Sequence, residues 1–436
     1  MRVRTLLVIG LLIREAFSFW TGHPFDFEIW VRTGYWVARG YDPYSSLPYA
    51  PGVSFATDFG GPNLSPIVGY LPFWPVLLEA LYGLYALLGS PTPYLYYFLI
   101  KQPMIICDVL LAYCLYGYLE KRGSGKARFA LKLWLFSPYT ILLSAVWGMF
   151  DAIPMLFVLL ALMADPGARR GFWSGLATFA KSIPVLFAIP LSWGPKPLRN
   201  LAIAIGLPSL ASLAIIWVAG WPISTFEVTV QSTVAKYGAS LSLWEVVYYL
   251  NTVGAIPTPL LNHFVWTGYV WVPAVAVATF LGYVWFGFDT ERGTIQSLIL
   301  VMLTFLLLRG EVNEQYALYL YALGLIDVAL WSPQRLRPLL ASMAAVIAFN
   351  GTNDLLFIRY LTPAFHNALA LESSIISHIV PERNALLFIE AAVFWATNLY
   401  YFHALWKERR PAREGRTEAE SISRSSGAKR ARGERD

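Results

Sequence analysis

The chain has 436 residues, of which 57% are hydrophobic and 14% charged, with a formal net charge of +6. A soluble protein carries roughly 25% charged residues, so this composition excludes a soluble globular domain. It predicts an all-α polytopic membrane protein, because apolar runs near ~20 residues must satisfy their backbone groups internally. The two cysteines, Cys107 and Cys114, lie on one predicted helix about 10.5 Å apart along its axis, too far for a disulfide. The five histidines are scattered and show no metal-ligand spacing.

The first apolar segment, Leu6 to Trp20, is interrupted by Arg14 and Glu15 and is followed by no small-x-small cleavage site. It reads as a retained anchor. The stretch from Phe25 to Tyr44, FDFEIWVRTGYWVARGYDPY, comes next. Its aromatic and apolar residues recur at helical spacing, with Arg32 and Arg39 between them. That pattern predicts a helix in the membrane interface, apolar side in lipid, ended by Gly40 and Pro43. Such a helix would hold Asp26 and Glu28 at the membrane surface.

Further membrane helices are predicted near 94–119, 129–147, 150–164, 171–181, 183–193, 198–219, 263–287, 294–309, 315–331, 337–357 and 385–406, about 12 with the first. The segment 66–89 is apolar enough to span, but Pro66, Pro72, Pro75 and Glu79 suit a re-entrant or interfacial element better. Leaving it uncrossed also keeps the basic loop EKRGSGKAR, Glu120 to Arg128, on the cytoplasmic side. Lys181 and Pro184 interrupt 171–193, which is read as a hairpin of two short helices. The loops GPKPLRN, DTERG and SPQRLRP then fall inside with the tail. The opposite face receives the loop 22–93, the turn GMFDA at 148–152, the loop 220–262 and the turn RGEVNEQY at 309–316.

One membrane domain, 1–406, is therefore expected, with external loops near 22–93 and 220–262. A tail, 407–436, follows, with ten Lys/Arg against six Asp/Glu and few bulky apolar residues. It is read as a disordered basic cytoplasmic tail near anionic lipid, with no nucleic-acid role.

Six fragments occur in order: DFEIWVRTGYWVARGYDPY, YLPFW at 70–74, KQPMIICDVLLAYCLYGYL, LWLFSPYTILLSAVWGMFDAI, FAKSIPVLFAIPL and RGEVNEQYALYLYAL. This ordered set resembles the GT-C family of membrane glycosyltransferases. It is most similar to the mannosyltransferases that add the first mannose to GPI anchors and to related polyprenol-dependent enzymes. The resemblance runs to about residue 330. It implies a GT-C-like helical bundle with interfacial helices in its external loops. It implies a polyprenyl-phosphate sugar donor and an acid in the first external loop that activates the acceptor. Asp26 stands where the second acid of the family's DxD pair would be, and Pro24 stands in the first acid's place. Asp151 in GMFDA and the Gln315–Tyr316 pair occupy positions similar to the family's.

The residues carry a reading of their own. Glycosyl transfer needs a carboxylate beside the acceptor hydroxyl as general base. Asp26 or Glu28 would serve, and both are equally suited to favouring a helix N-terminus. The leaving phosphate needs cations: Lys181, Lys236 and Arg309 are the candidates. A lysine at mid-membrane rarely faces lipid, so Lys181 either meets that phosphate or pairs with a buried acid such as Asp151 or Asp108. Arg309 either binds phosphate or anchors a helix end. Gln315 is suited to hydrogen-bonding sugar hydroxyls and Tyr316 to stacking on the ring, with Glu314 beside them.

The expected activity is transfer of a hexose, mannose by the resemblance, from polyprenyl phosphate to a lipid- or protein-linked acceptor on the non-cytoplasmic face. No cofactor, nucleotide site or essential metal is expected, and a partner subunit is left open. The alternative is a transporter or lipid-handling membrane protein with Lys181 and Asp108 along its path. A transporter should concentrate polar groups near the midplane in repeated halves, and no internal repeat is visible. A catalytically silent scaffold of the same fold is the third reading.

Overall fold

In the computed structural model of the chain, the described residues are 2–56, 68–234, 240–242, 247, 249–251, 253–257 and 268–408. Their regular secondary structure is all helical, with no β-strand among them. The first half holds α1 (Val3–Ser18), α2 (Asp26–Val37), α3 (Phe73–Leu87), α4 (Pro93–Glu120), α5 (Ala127–Leu135), α6 (Pro138–Ile141), α7 (Ala152–Met163), α8 (Ala168–Ala180), α9 (Ala188–Ser192) and α10 (Pro197–Ala219). The second holds α11 (Ile223–Val234), α12 (Trp271–Trp285), α13 (Glu291–Leu308), α14 (Ala317–Leu330), α15 (Leu336–Asn353), α16 (Ala368–His378) and α17 (Val380–Lys407). The predicted loop cation Lys236 and the tail beyond residue 408 lie outside the described residues.

Among the described residues, α4, α10, α13 and α17 are long and apolar enough to cross a membrane, and the bent pair α5–α6 with its continuation to Trp147 makes a fifth. The expected count of about twelve is not reached on that measure. Helices such as α3, α7 and α12 run only 12 to 15 residues, short of the ~20 that a bilayer core requires. The central post is α13, whose most apolar window is 83% buried, against 22% for α10 and 28% for α17. Helix α14 packs beside it and is buried along nearly all its length.

The chain bends by 47° at Ser137–Pro138. Proline lacks the N–H that would continue the ladder, and the carbonyls exposed by the break find side-chain donors. Thr140 Oγ1 donates to the Trp134 carbonyl (2.6 Å) and Arg14 to that of Leu135 (2.9 Å). Arg14 also meets Asp108 Oδ2 at 2.6 Å, and Asp108 accepts from Trp134 Nε1 (2.7 Å) and Ser144 Oγ (2.8 Å). The arginine that interrupts the first apolar segment is thus the buried partner of the acid in α4. Intramembrane charge is tolerable when paired in this way.

Two ends of the molecule are distinct. At one end Arg122 pairs with Glu291, Lys126 reaches the Val328 carbonyl, and Trp193 donates to Asp289. Glu408 there accepts from Arg292, Ser332 and Gln334 and pairs with Arg335. These are the loops whose basic residues predicted a common face. At the other end the loops around 26, 42, 148 and 312 meet: Trp30 Nε1 donates to the Gly148 carbonyl (3.0 Å), Thr225 to Asp42 (2.8 Å), and Ser242 to the Gly310 carbonyl (3.0 Å).

Helix α2 forms where its spacing predicts but does not lie in lipid. Phe27 through Gly34 are buried without interruption. At Gly34 an added Cβ would sit 2.6 Å from the Leu78 carbonyl oxygen, so α3 crosses directly over it. Periodicity marks which positions avoid water, and protein interior and lipid satisfy that equally.

Candidate active site

Asp26 opens α2 and keeps about a fifth of its side chain exposed (22%). Trp147 Nε1 donates to its Oδ2 at 2.9 Å. Trp147 ends a π-helical segment, Leu142–Trp147, and the next residue, Gly148, turns the chain at φ +87°. Wide turns of this kind are rare and often occur at functional sites. The segment is held from behind by Lys101 of α4. Its buried ammonium donates to the carbonyls of Thr21 (2.7 Å) and Ala145 (2.6 Å) and to Thr21 Oγ1 (2.9 Å). The same lysine fixes the end of α1 and the approach to Trp147.

His23 completes the support. Its Nδ1 accepts the N–H groups of Phe25 (3.3 Å) and Asp26 (3.2 Å), which caps α2. Burial and the positive charge of Arg359 hold its pKa well below the usual histidine range. The ring is therefore neutral, and its 3.4 Å approach to Asp26 Oδ2 is not an ion pair. It packs between Trp147 and Tyr360, with ring centres 5.3 and 5.4 Å away.

Glu28 faces the other way. Its fully buried carboxylate accepts from Arg32 Nε (2.7 Å) and the Phe55 N–H (3.0 Å). Arg32 goes on to the Ala56 carbonyl at 2.6 Å. The pair ties the loop after α2, at residues 47–56, back onto that helix. Glu28 anchors the loop from the first turn of α2, where an acid is expected to favour the helix start.

The chain breaks at Lys181, where α8 ends with an extended residue before a 3₁₀ turn, Ile183–Phe187. Lys181 Nζ lies 2.8 Å from both oxygens of Asp151, and both side chains are buried. Of the two expected roles for Lys181, pairing with an acid is the one its contacts display. The rings of Phe150, Tyr70 and Tyr316 surround the ammonium at 4.9, 5.2 and 5.5 Å. Arg309 also lies against Tyr316, 5.0 Å from that ring and 5.1 Å from Phe305. Lys181, Asp151, Arg309 and Tyr316 thus form one neighbourhood, and the field of Asp26 reaches both Lys181 and Tyr70 there.

The turn Glu314–Tyr316 closes this neighbourhood. Tyr139 OH donates to the Glu314 carbonyl at 2.7 Å. Gln315 Oε1 is buried and has no hydrogen-bond partner among the described residues. Burial, together with the negative charges of Asp354 and Asp26, pushes the Glu314 carboxyl up to about 8. A carboxyl protonated at neutral pH is a hydrogen-bond donor. Its raised pKa stabilises the fold below the ordinary value of 4.5, and that contribution is lost as pH rises through about 8. Glu314→Gln should therefore match the parent's thermal stability at pH 5 and exceed it at pH 9. A parent whose melting temperature is flat across that window would contradict this.

The C-terminal third reaches the same place, which no sequence motif indicated. Arg359 pairs with Asp354 (2.9 Å) and Glu372 (2.8 Å), and Tyr360 bonds to Asp354 and packs on Trp147. Gly22 N–H donates to the Tyr360 carbonyl at 2.8 Å, joining this cluster to the loop before Asp26.

No protein-family model matches the chain. Over 232 residues, half of the chain, it is 23% identical to GPI mannosyltransferase 1 of Eremothecium gossypii. The match covers 57% of that protein, so the chain spans little more than half the length of this curated relative. It is a distant relative of that family of glycosyltransferases.

Proposed function

We propose that the chain is a membrane mannosyltransferase-like enzyme. It moves a hexose, mannose by the relative's name, from a polyprenyl-phosphate donor to a lipid- or protein-linked acceptor. The observation that carries this reading is the placement of Asp26. It is a partly exposed carboxylate oriented by Trp147 beside a buried neighbourhood that holds Arg309, Gln315 and Tyr316.

In this reading Asp26 takes the proton from the acceptor hydroxyl as that oxygen attacks the anomeric carbon. The bond from that carbon to the phosphate oxygen breaks, polyprenyl phosphate leaves, and the configuration inverts. A base must sit within hydrogen-bond reach of the oxygen it activates, and developing negative charge on the phosphate needs a cation. Lys181 is already matched by Asp151, so Arg309 takes the phosphate. Gln315 Oε1 accepts from a sugar hydroxyl, and Tyr316 packs on the ring.

The basic loops gather at the end opposite Asp26, and basic loops favour the cytoplasmic side. That supports a site on the non-cytoplasmic face. The transporter reading loses ground because Asp108 and Lys181, the charges it would place along its path, are each engaged by protein partners. The test is direct. Purified protein is offered radiolabelled polyprenyl-phosphate mannose or glucose with a crude lipid extract. Label should enter a new product from the mannose donor, and a folded protein that transfers neither sugar would overturn the proposal.

A further inference from the structure

A concavity of about 440 Å³, not lined by Asp26, lies between α5 and α15. Its size falls in the ~300–1,000 Å³ range of small-molecule sites. On α5 it is lined by Phe129 and Lys132, with Phe136 just past that helix, and on α15 by Leu340 and Ala344, with Tyr321 of α14 also in its wall. The positions on each helix repeat at one-turn and two-turn spacing, so each helix offers one stripe. The lining is apolar except for Lys132 and Ser137. Phe129 and Leu340 are 44% and 37% exposed, so the groove opens outward rather than into the core.

Both helices start at the end of the molecule where the basic loops gather. Arg337 lies one turn before Leu340 and two turns before Ala344, on the same stripe at that end. Lys132 and Arg337 are exposed, and neither side chain makes a hydrogen bond or ion pair among the described residues. Among the described residues no acidic one lines the groove. An apolar slot facing outward, with unneutralised Arg337 at its membrane-surface end and Lys132 on its wall about one turn deeper, is complementary to a lipid with an acidic head. Lysine extends its charge toward the head-group level while its stem stays in apolar surroundings.

We propose that this groove holds one acyl chain of an anionic bilayer phospholipid, with Lys132 and Arg337 taking its phosphate. The site is separate from the proposed sugar-transfer centre and does not depend on that reading.

Full-length protein would be reconstituted with equal amounts of phosphatidylglycerol and phosphatidylcholine, returned to detergent, and analysed for retained lipid by native mass spectrometry. The parent should keep about one phosphatidylglycerol, with a preference on the order of tenfold for two basic contacts. K132Q/R337Q should lose the preference, and A344W, which fills the groove, should lose the lipid. Equal retention of the two lipids by the parent would overturn the proposal, as would an unchanged preference in K132Q/R337Q. Displacement by a short polyprenyl phosphate that excess phosphatidylglycerol cannot reverse would assign the groove to the donor and overturn it too. If A344W does not fold, the surface double variant decides alone.

Discussion

Asp26→Asn is expected to give a folded protein with sugar transfer reduced by ~10²–10⁴-fold, the usual effect of losing a general base. The amide keeps an oxygen to accept from Trp147, whose indole holds Asp26 Oδ2 at 2.9 Å, so local geometry should survive. What is lost is the capacity to take a proton at neutral pH. Glu28→Gln is the matched comparison and should behave oppositely. Its carboxylate is buried against Arg32 and the Phe55 N–H. Neutralising one partner of a buried pair costs roughly 3–5 kcal/mol, well above the ~0.3–1 kcal/mol of a helix-terminus charge. Turnover per folded molecule should stay near the parent's. Transfer of labelled sugar, normalised to folded protein, separates the two. Full activity in Asp26→Asn would remove it from the mechanism, and equal losses per folded molecule would return Glu28 to it.

The second large effect concerns Lys181. Lys181→Met leaves Asp151 as a buried carboxylate without its cation, since the ammonium lies 2.8 Å from both oxygens. A loss of ~3–5 kcal/mol in stability is expected. Lys181→Met/Asp151→Asn should recover much of it, because no lone charge remains. The double variant also divides the two roles open to this lysine. A structural pair predicts donor KM near the parent's once folding is restored, whereas a phosphate ligand predicts a raised KM in an equally stable protein. Single and double variants of equal, parent-like stability would show that the pair does not hold the fold together.

The sequence was informative wherever a residue's type conflicts with its surroundings. Lys181 and Pro184 in an apolar run marked the break of the chain, which falls at Lys181. Asp26 and Glu28, two positions apart on a helix, do not share a face, and one is partly exposed while the other is buried. The basic loops that share a sign also share an end of the molecule. What stayed hidden was partnership at a distance. Trp147 is 121 positions from Asp26, and nothing in a run of apolar letters tells an indole that packs from one that donates. Lys101 was equally open to notice as an intramembrane cation, but its partners are backbone carbonyls, which no residue type announces. The burial of α2 was misread for a physical reason: an apolar stripe is the same whether lipid or protein covers it. The C-terminal cluster around Arg359 escaped because its acids and arginines, read singly, resemble any polar turn.

The pairing of Arg14 with Asp108 also bears on how the chain is made. The partners are 94 residues apart, an interval of order 5–20 s at ribosomal rates of ~5–20 residues per second. Thr140, the next contact of the same guanidinium, is 126 positions away and emerges later still. For that time α1 exists with a charged side chain whose final neighbours have not been synthesised. Its permanent seat in the bundle therefore forms only once α4, and after it the bend at Pro138, has followed it out of the ribosome. Helix α1, translated before these partners, is in this respect settled only after them.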